Sequence, residues 1–94
     1  MDFEWDKTKN EKNKKKHSIS FEEAKNIFYK PRLTKIDNRK NYGETRYISL
    51  GLIENVVIIV VIHVDRNQSI RIISARKANK KERKKYYEYF EKKN

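Results

Sequence analysis

In a chain of 94 residues, 24 lysines and arginines outnumber 13 aspartates and glutamates, giving a formal charge of +11. That length suits one domain, residues 1–94, burying about 60% of its unfolded surface, and that charge suits salt-sensitive binding to a polyanion, the bland alternative being lysine kept for solubility. The absence of cysteine excludes disulfides, thiolate nucleophiles and thiolate zinc sites.

The opening Met1 to Asp6 is acidic, and the longest apolar run, Val56 to Ile62, is seven residues. Neither suits an export signal or a membrane span, so a cytoplasmic protein is expected. Phe3 and Trp5 alternate with Glu4 and Asp6, the pattern of a short edge strand with both aromatics on one side. Asp6 can cap a helix over Lys7 to Lys16, but this segment has no apolar stripe to bury and should lie on the surface or fray. Ser20 and Glu23 stand at capping-box spacing, and Phe21, Ala24, Ile27 and Phe28 form one apolar helical face that must end before Pro31.

Leu33 to Asp37 reads as a strand, followed by a polar loop closing at Gly43. Three strands are expected next, over 44–52, 56–64 and 69–76, with turns at Ile53 to Asn55 and Asp65 to Gln68 short enough to make them antiparallel neighbours. The middle strand is apolar on both faces, so the sheet must be covered on both sides. Asn79 and Glu82 repeat the capping spacing at the head of a last helix, 79–92, with Tyr86, Tyr89 and Phe90 at packing intervals. The expected fold is α+β, a small antiparallel meander of three to four strands plus a short N-terminal strand, with two N-terminal helices and a C-terminal helix.

Strand pairing places candidate residues together. Pairing Leu52 with Val56 and Val64 with Ser69 sets Arg46 and Arg71 on either side of Ile62, on one face and about 10 Å apart, where both can reach one phosphate. The alternative is a surface charge pair, or contact of Arg46 with Glu44. In that register His63 points to the opposite face, and Arg76 shares the face of His63. Metal-free RNA cleavage needs a base, an acid and cations at phosphorus, and the arginine fork supplies the cations.

Arg76 ends a strand just before Lys77, Lys80, Lys81 and Arg83, a group that can hold phosphate or form a solvated basic helix. His63 has the intrinsic pKa of an acid-base catalyst, although a lone strand histidine more often serves structure; His17 can equally cap a helix. Two histidines without neighbouring ligands make no metal site. Trp5, Tyr47, Tyr86, Tyr87 and Tyr89 can stack on bases or fill the core. With only Gly43 and Gly51, and no elbow around Ser74, neither a dinucleotide cofactor nor a serine nucleophile is expected.

The chain resembles the BrnT family of bacterial type II toxins over nearly its whole length. The resemblance runs through Phe3-Glu4-Trp5-Asp6, Lys9, Asn13, Lys16-His17 and Ser20 to Ala24, then Gly43-Glu44, Arg46, Gly51, His63 and Asp65-Arg66. It ends with Ile70 to Arg76, Glu82-Arg83 and Tyr86. Ser18 stands where the family has glycine, Lys14 where it has a hydrophobic residue, and Val64 where it has threonine. The resemblance implies a RelE-like fold and an endoribonuclease that stops translation. It also implies a BrnA-type antitoxin in a heterotetramer of two toxins and two antitoxins, bound to operator DNA through the antitoxin.

The expected catalytic set is therefore Arg46, Arg71, Arg76 and His63, without metal or cofactor. RNA is expected to contact Trp5, Tyr47, Lys77, Lys80, Lys81 and Arg83. The alternative is a non-catalytic RNA- or DNA-binding module.

Overall fold

A computed structural model describes residues 1–91. Its elements run β1 Asp2–Glu4, α1 Lys7–His17, α2 Phe21–Ala24 continuing as a 3₁₀ turn Lys25–Tyr29, β2 Leu33–Ile36, β3 Tyr47–Ile53, β4 Val57–Arg66, β5 Ser69–Lys77 and α3 Lys80–Glu91. Lys92, expected in the last helix, lies outside the described residues. The strands form one sheet in the order β1-β5-β4-β3-β2. Strands β2 to β5 are antiparallel neighbours, whereas β1 runs parallel to β5, pairing Phe3 with Ile70 and Glu4 with Arg71. The sheet is thus mixed, a correction to the antiparallel reading. A parallel partner has no short turn to announce it; β1 is reached through the long return of the chain.

Strand β4 sits at the centre, and both its faces are buried. On the back face Ile59 and Val61 pack with Phe21, Ala24, Ile27, Phe28, Ile72 and Ala75. On the front face Ile58 and Val60 pack with Leu50, Ala78 and Tyr86 of α3. Gly51 is where the 3₁₀ turn crosses β3: a Cβ there would sit 2.5 Å from Ile27 Cβ, closer than any packed side chain permits.

Local capping follows the sequence. Asp6 accepts from Lys9 N, Ser20 and Glu23 form a reciprocal capping box, and Asn79 and Glu82 exchange the same pair of bonds. Helix α1 is docked, although it has no apolar stripe, because two buried asparagines do the work of hydrophobic residues. Asn13 donates to Ile19 O and Ala75 O, both at 2.8 Å, and accepts from Ala75 N at 3.2 Å. Asn10 accepts from Phe21 N and donates to Glu22. The expectation of a fraying helix fails because buried hydrogen bonds to otherwise orphaned backbone groups can anchor a helix as firmly as apolar area does.

The helix ends at Ser18, whose φ of 59° and ψ of 27° are left-handed while its N–H caps Lys14 O. Glycine adopts this conformation without steric cost. Ser18→Gly should stabilise the fold by about 0.5–1 kcal/mol, relief of the left-handed strain outweighing the added entropy of the unfolded chain. Asn13→Ala should cost about 3 kcal/mol by removing three bonds and leaving buried backbone groups unpaired. Both are read as shifts of the urea midpoint at constant m-value.

Candidate functional site

The alternation of β5 is broken once. Ile62 pairs with Ser74 and His63 with Ile72, so Ile73 is an extra residue in a β-bulge. Before and after it, Ile70, Ile72 and Ala75 all remain in the back core. The bulge corrects the expected faces: Arg76, opposite Val60, shares the front face with Arg71, opposite Val64. Arg76 does not share the face of His63.

The turns also pair two residues further along than expected. Ile53 faces Val57 and Arg66 faces Ser69. A shift of two preserves the face, so Arg46, immediately before the Tyr47–His63 pair, and Arg71 flank Val64 rather than Ile62.

Helix α3 covers one end of the front face and leaves a groove of about 700 Å³ beside it. Ile48, Leu50, Val60 and Ile62 line it with Lys35 and Arg39 from the β2 side, and with Ser74, Arg76, Lys81, Glu82, Lys85 and Tyr89 from β5 and α3. Two arginines in this lining are each held in a two-point fork by a carboxylate. Arg76 donates to Glu82 at 2.8 and 2.9 Å, and Glu82 is fixed in turn by the α3 capping box. Arg39 donates to Asp37 at 2.8 and 2.9 Å, and the Asp37 side chain is fully enclosed.

These forks polarise the groups in opposite directions. The Arg39 bonds hold the Asp37 carboxyl far below the usual carboxylate range, and Arg39 is raised reciprocally. Arg76 is raised by its bonds to Glu82, which is lowered by them. Both guanidiniums are permanently charged, and each positive charge opposes the other across the groove, since Arg39 acts to lower Arg76. Two like charges held by buried or capped carboxylates form a prepared site for an anion. The groove cations outnumber its single carboxylate, Glu82, so the chemistry of the lining favours phosphate over a metal ion.

A second arginine cluster lies at the far end of the same face. Arg66 bridges Glu4 and Glu44 at 3.4 and 3.2 Å, Arg46 stands 3.7 Å from Glu44, and Arg71 stands 3.7 Å from Glu4.

His63 is on the back face, 1% exposed, with Phe28 edge-on at 4.8 Å and Tyr47 stacked at 5.7 Å. Its Nδ1 lies 2.7 Å from Asp65 and its Nε2 2.7 Å from Ser49 Oγ, which lies 2.8 Å from Thr34 Oγ1. A carboxylate only accepts, so Nδ1 carries the proton and Nε2 accepts from Ser49. The spacing is that of a serine-histidine-aspartate relay, but Ser49 is 0% exposed, leaving no room for a substrate.

Of the other expected contact residues, Lys81 lines the groove. Trp5 packs edge-on against Phe21 at 6.1 Å, and Lys77 and Lys80 are exposed outside the groove. Arg83 is exposed and donates to Ala78 O. Arg39, Lys35 and Lys85 were not singled out by the sequence. Arg39 was hidden in what reads as a plain polar loop, and its one signal is an aspartate two residues earlier at a strand end.

A family model described as "Ribonuclease toxin, BrnT, of type II toxin-antitoxin system" matches residues 5–82. That span contains Arg39, Arg46, His63, Arg71, Arg76 and Glu82, and stops short of Lys85 and Tyr89. Among solved structures, the crystal structure of the Brucella abortus ribonuclease toxin BrnT matches with a TM-score of 0.65 at 26% identity, covering 85% of this chain and 99% of that one. No curated protein matches the chain.

Burial pushes the His63 pKa down, against the opposing pull of Asp65. The unfolded chain then takes up the proton first as pH falls, so this contribution to stability is complete above the ordinary histidine value near 6.5 and is lost below it. The urea midpoint should drop between pH 7.5 and pH 5 in the wild type and change less in His63→Gln, which starts lower. An equal drop in both would contradict the assignment.

Proposed function

This chain belongs to the BrnT family of ribonuclease toxins of type II toxin–antitoxin systems, and we propose that RNA is bound and cut in the groove between the sheet and α3. The observation that carries this reading is the pair of carboxylate-backed arginines, Arg39 and Arg76, in one groove. Cleavage proceeds by attack of the 2′-oxygen on the adjacent phosphorus, which closes the 2′,3′-cyclic phosphate as the bond to the 5′-oxygen breaks, water taking the 2′-proton and giving one to the departing 5′-oxygen. The arginines hold the non-bridging oxygens and stabilise the extra negative charge that develops there, without a metal ion. Lys35, Lys81 and Lys85 draw the RNA backbone into the groove, and Tyr89 offers a face on which a base can stack.

His63 supports the reaction from behind: its relay ties β2, β3 and β4 together beneath the groove floor. The fold is of the RelE-like kind, and the toxin works in the cytoplasm. No helix among the described residues is long and apolar enough to cross a membrane. A BrnA-type antitoxin silences the toxin by covering the groove, in a complex of two toxins and two antitoxins that binds operator DNA through the antitoxin.

Purified protein incubated in EDTA with naked RNA should leave fragments ending in a 2′,3′-cyclic phosphate and a 5′-hydroxyl. Arg76→Ala and Arg39→Ala should each lower kcat by about 10²–10³-fold, the scale of losing one preorganised charge-stabilising donor, while changing RNA affinity far less. Equal losses of binding and cleavage, or binding with no scission by the wild type, would favour a binding module instead.

A further inference from the structure

We propose that Arg46 and Arg71 form a second phosphate station, holding RNA that flanks the scissile phosphate; this rests on reading the Arg39–Arg76 groove as the place of cleavage. Both stations lie on the front face. Arg76 is opposite Val60 and Arg71 is opposite Val64, four residues along the strand or about 13 Å at a rise of about 3.3 Å per residue. That backbone spacing suits separate phosphates of a single strand crossing the face.

The second station is built, and among the described residues the terminal nitrogens of Arg46 and Arg71 donate no hydrogen bond. Arg46 lies over the Tyr42 ring at 4.0 Å. Its Nε is enclosed, 3.7 Å from Glu44 and without a hydrogen-bond partner among the described residues, so a phosphate meets the terminal nitrogens of this guanidinium instead. The 3.7 Å separations of Arg46 from Glu44 and of Arg71 from Glu4 are attractive but too long for hydrogen bonds. The two carboxylates give their hydrogen bonds to Arg66 instead. Glu4 and Glu44 therefore aim Arg46 and Arg71 while leaving donors of each guanidinium for a phosphate. Side-chain exposures of 22% and 31% leave both within reach of a strand. An acidic protein segment would also be attracted, but continuity with the groove and the fit of two forks to phosphate oxygens favour RNA.

The test is binding of a 2′-deoxy strand, which cannot be cleaved, by Arg71→Gln and Arg46→Gln over a salt series, with kcat and KM measured on the matching RNA. Each variant should weaken binding about tenfold and lower the slope of log affinity against log salt by about 0.7, the single-strand value for one lost phosphate contact, with kcat within about threefold of wild type. Unchanged affinity and slope would overturn the proposal. So would a fall of about 100-fold in kcat at constant KM, which would place the pair at the reacting phosphate. Loss of affinity for the antitoxin alone would assign the pair to that partner and also overturn it. Should Arg46→Gln fail to fold, Arg71→Gln decides alone. If Arg39→Ala and Arg76→Ala leave cleavage intact, the groove reading falls while the binding series still decides whether Arg46 and Arg71 hold RNA.

Discussion

One extra residue in one strand gives this molecule its basic face. Residues five apart on a regular strand point to opposite sides, so Arg71 and Arg76 would be separated by the sheet. The bulge at Ile73 absorbs one residue, so that Ala75 returns to the back core alongside Ile72 and Arg76 joins Arg71 on the front. Bulges of this kind re-aim side chains next to functional sites. Here the back core pins the bulge: Ala75 is fully buried and is latched to α1 through Asn13. The docking of α1 on one side of the sheet thus helps set which groups appear on the other.

The two layers divide the labour between stability and chemistry. The back layer is closed, and even its polar groups are spent internally, as in the chain from Asp65 through His63 and Ser49 to Thr34. The front layer is only half covered, because Tyr86 of α3, with Ala78 just before the helix, packs over Leu50, Ile58 and Val60 and leaves Ile48 and Ile62 in the groove. Carboxylates recur beside the arginines of this face. A carboxylate that grips a guanidinium fixes its direction while the fork keeps further donors for a phosphate.

Much of this was legible in the sequence where local chemistry decides. The caps at Asp6, Ser20 and Asn79 stand where side-chain spacing put them, and the two-sided hydrophobicity of β4 correctly required cover on both faces. What was not legible depends on long-range geometry. Three residues of β1 carry no sign of a parallel partner, and the asparagines that dock α1 look like surface residues in a lysine-rich helix. The bulge has no glycine to mark it, so Arg76 was placed on the wrong face. The register slip of two was harmless because it preserved parity, which is why Arg46 and Arg71 remained together. Arg39 was missed because its role depends on Asp37 being enclosed, a fact of the fold alone.

The central claim is that Arg39 and Arg76 act as one device on one phosphate. It is tested most directly by a double-mutant cycle, comparing RNA cleavage by the wild type, Arg39→Ala, Arg76→Ala and the double variant in EDTA. If the two hold the same phosphate, the double variant should lose little more than the worse single one, because groups that act as a unit are strongly non-additive. Losses that multiply, each arginine contributing its full factor regardless of the other, would contradict it and separate the two into independent sites.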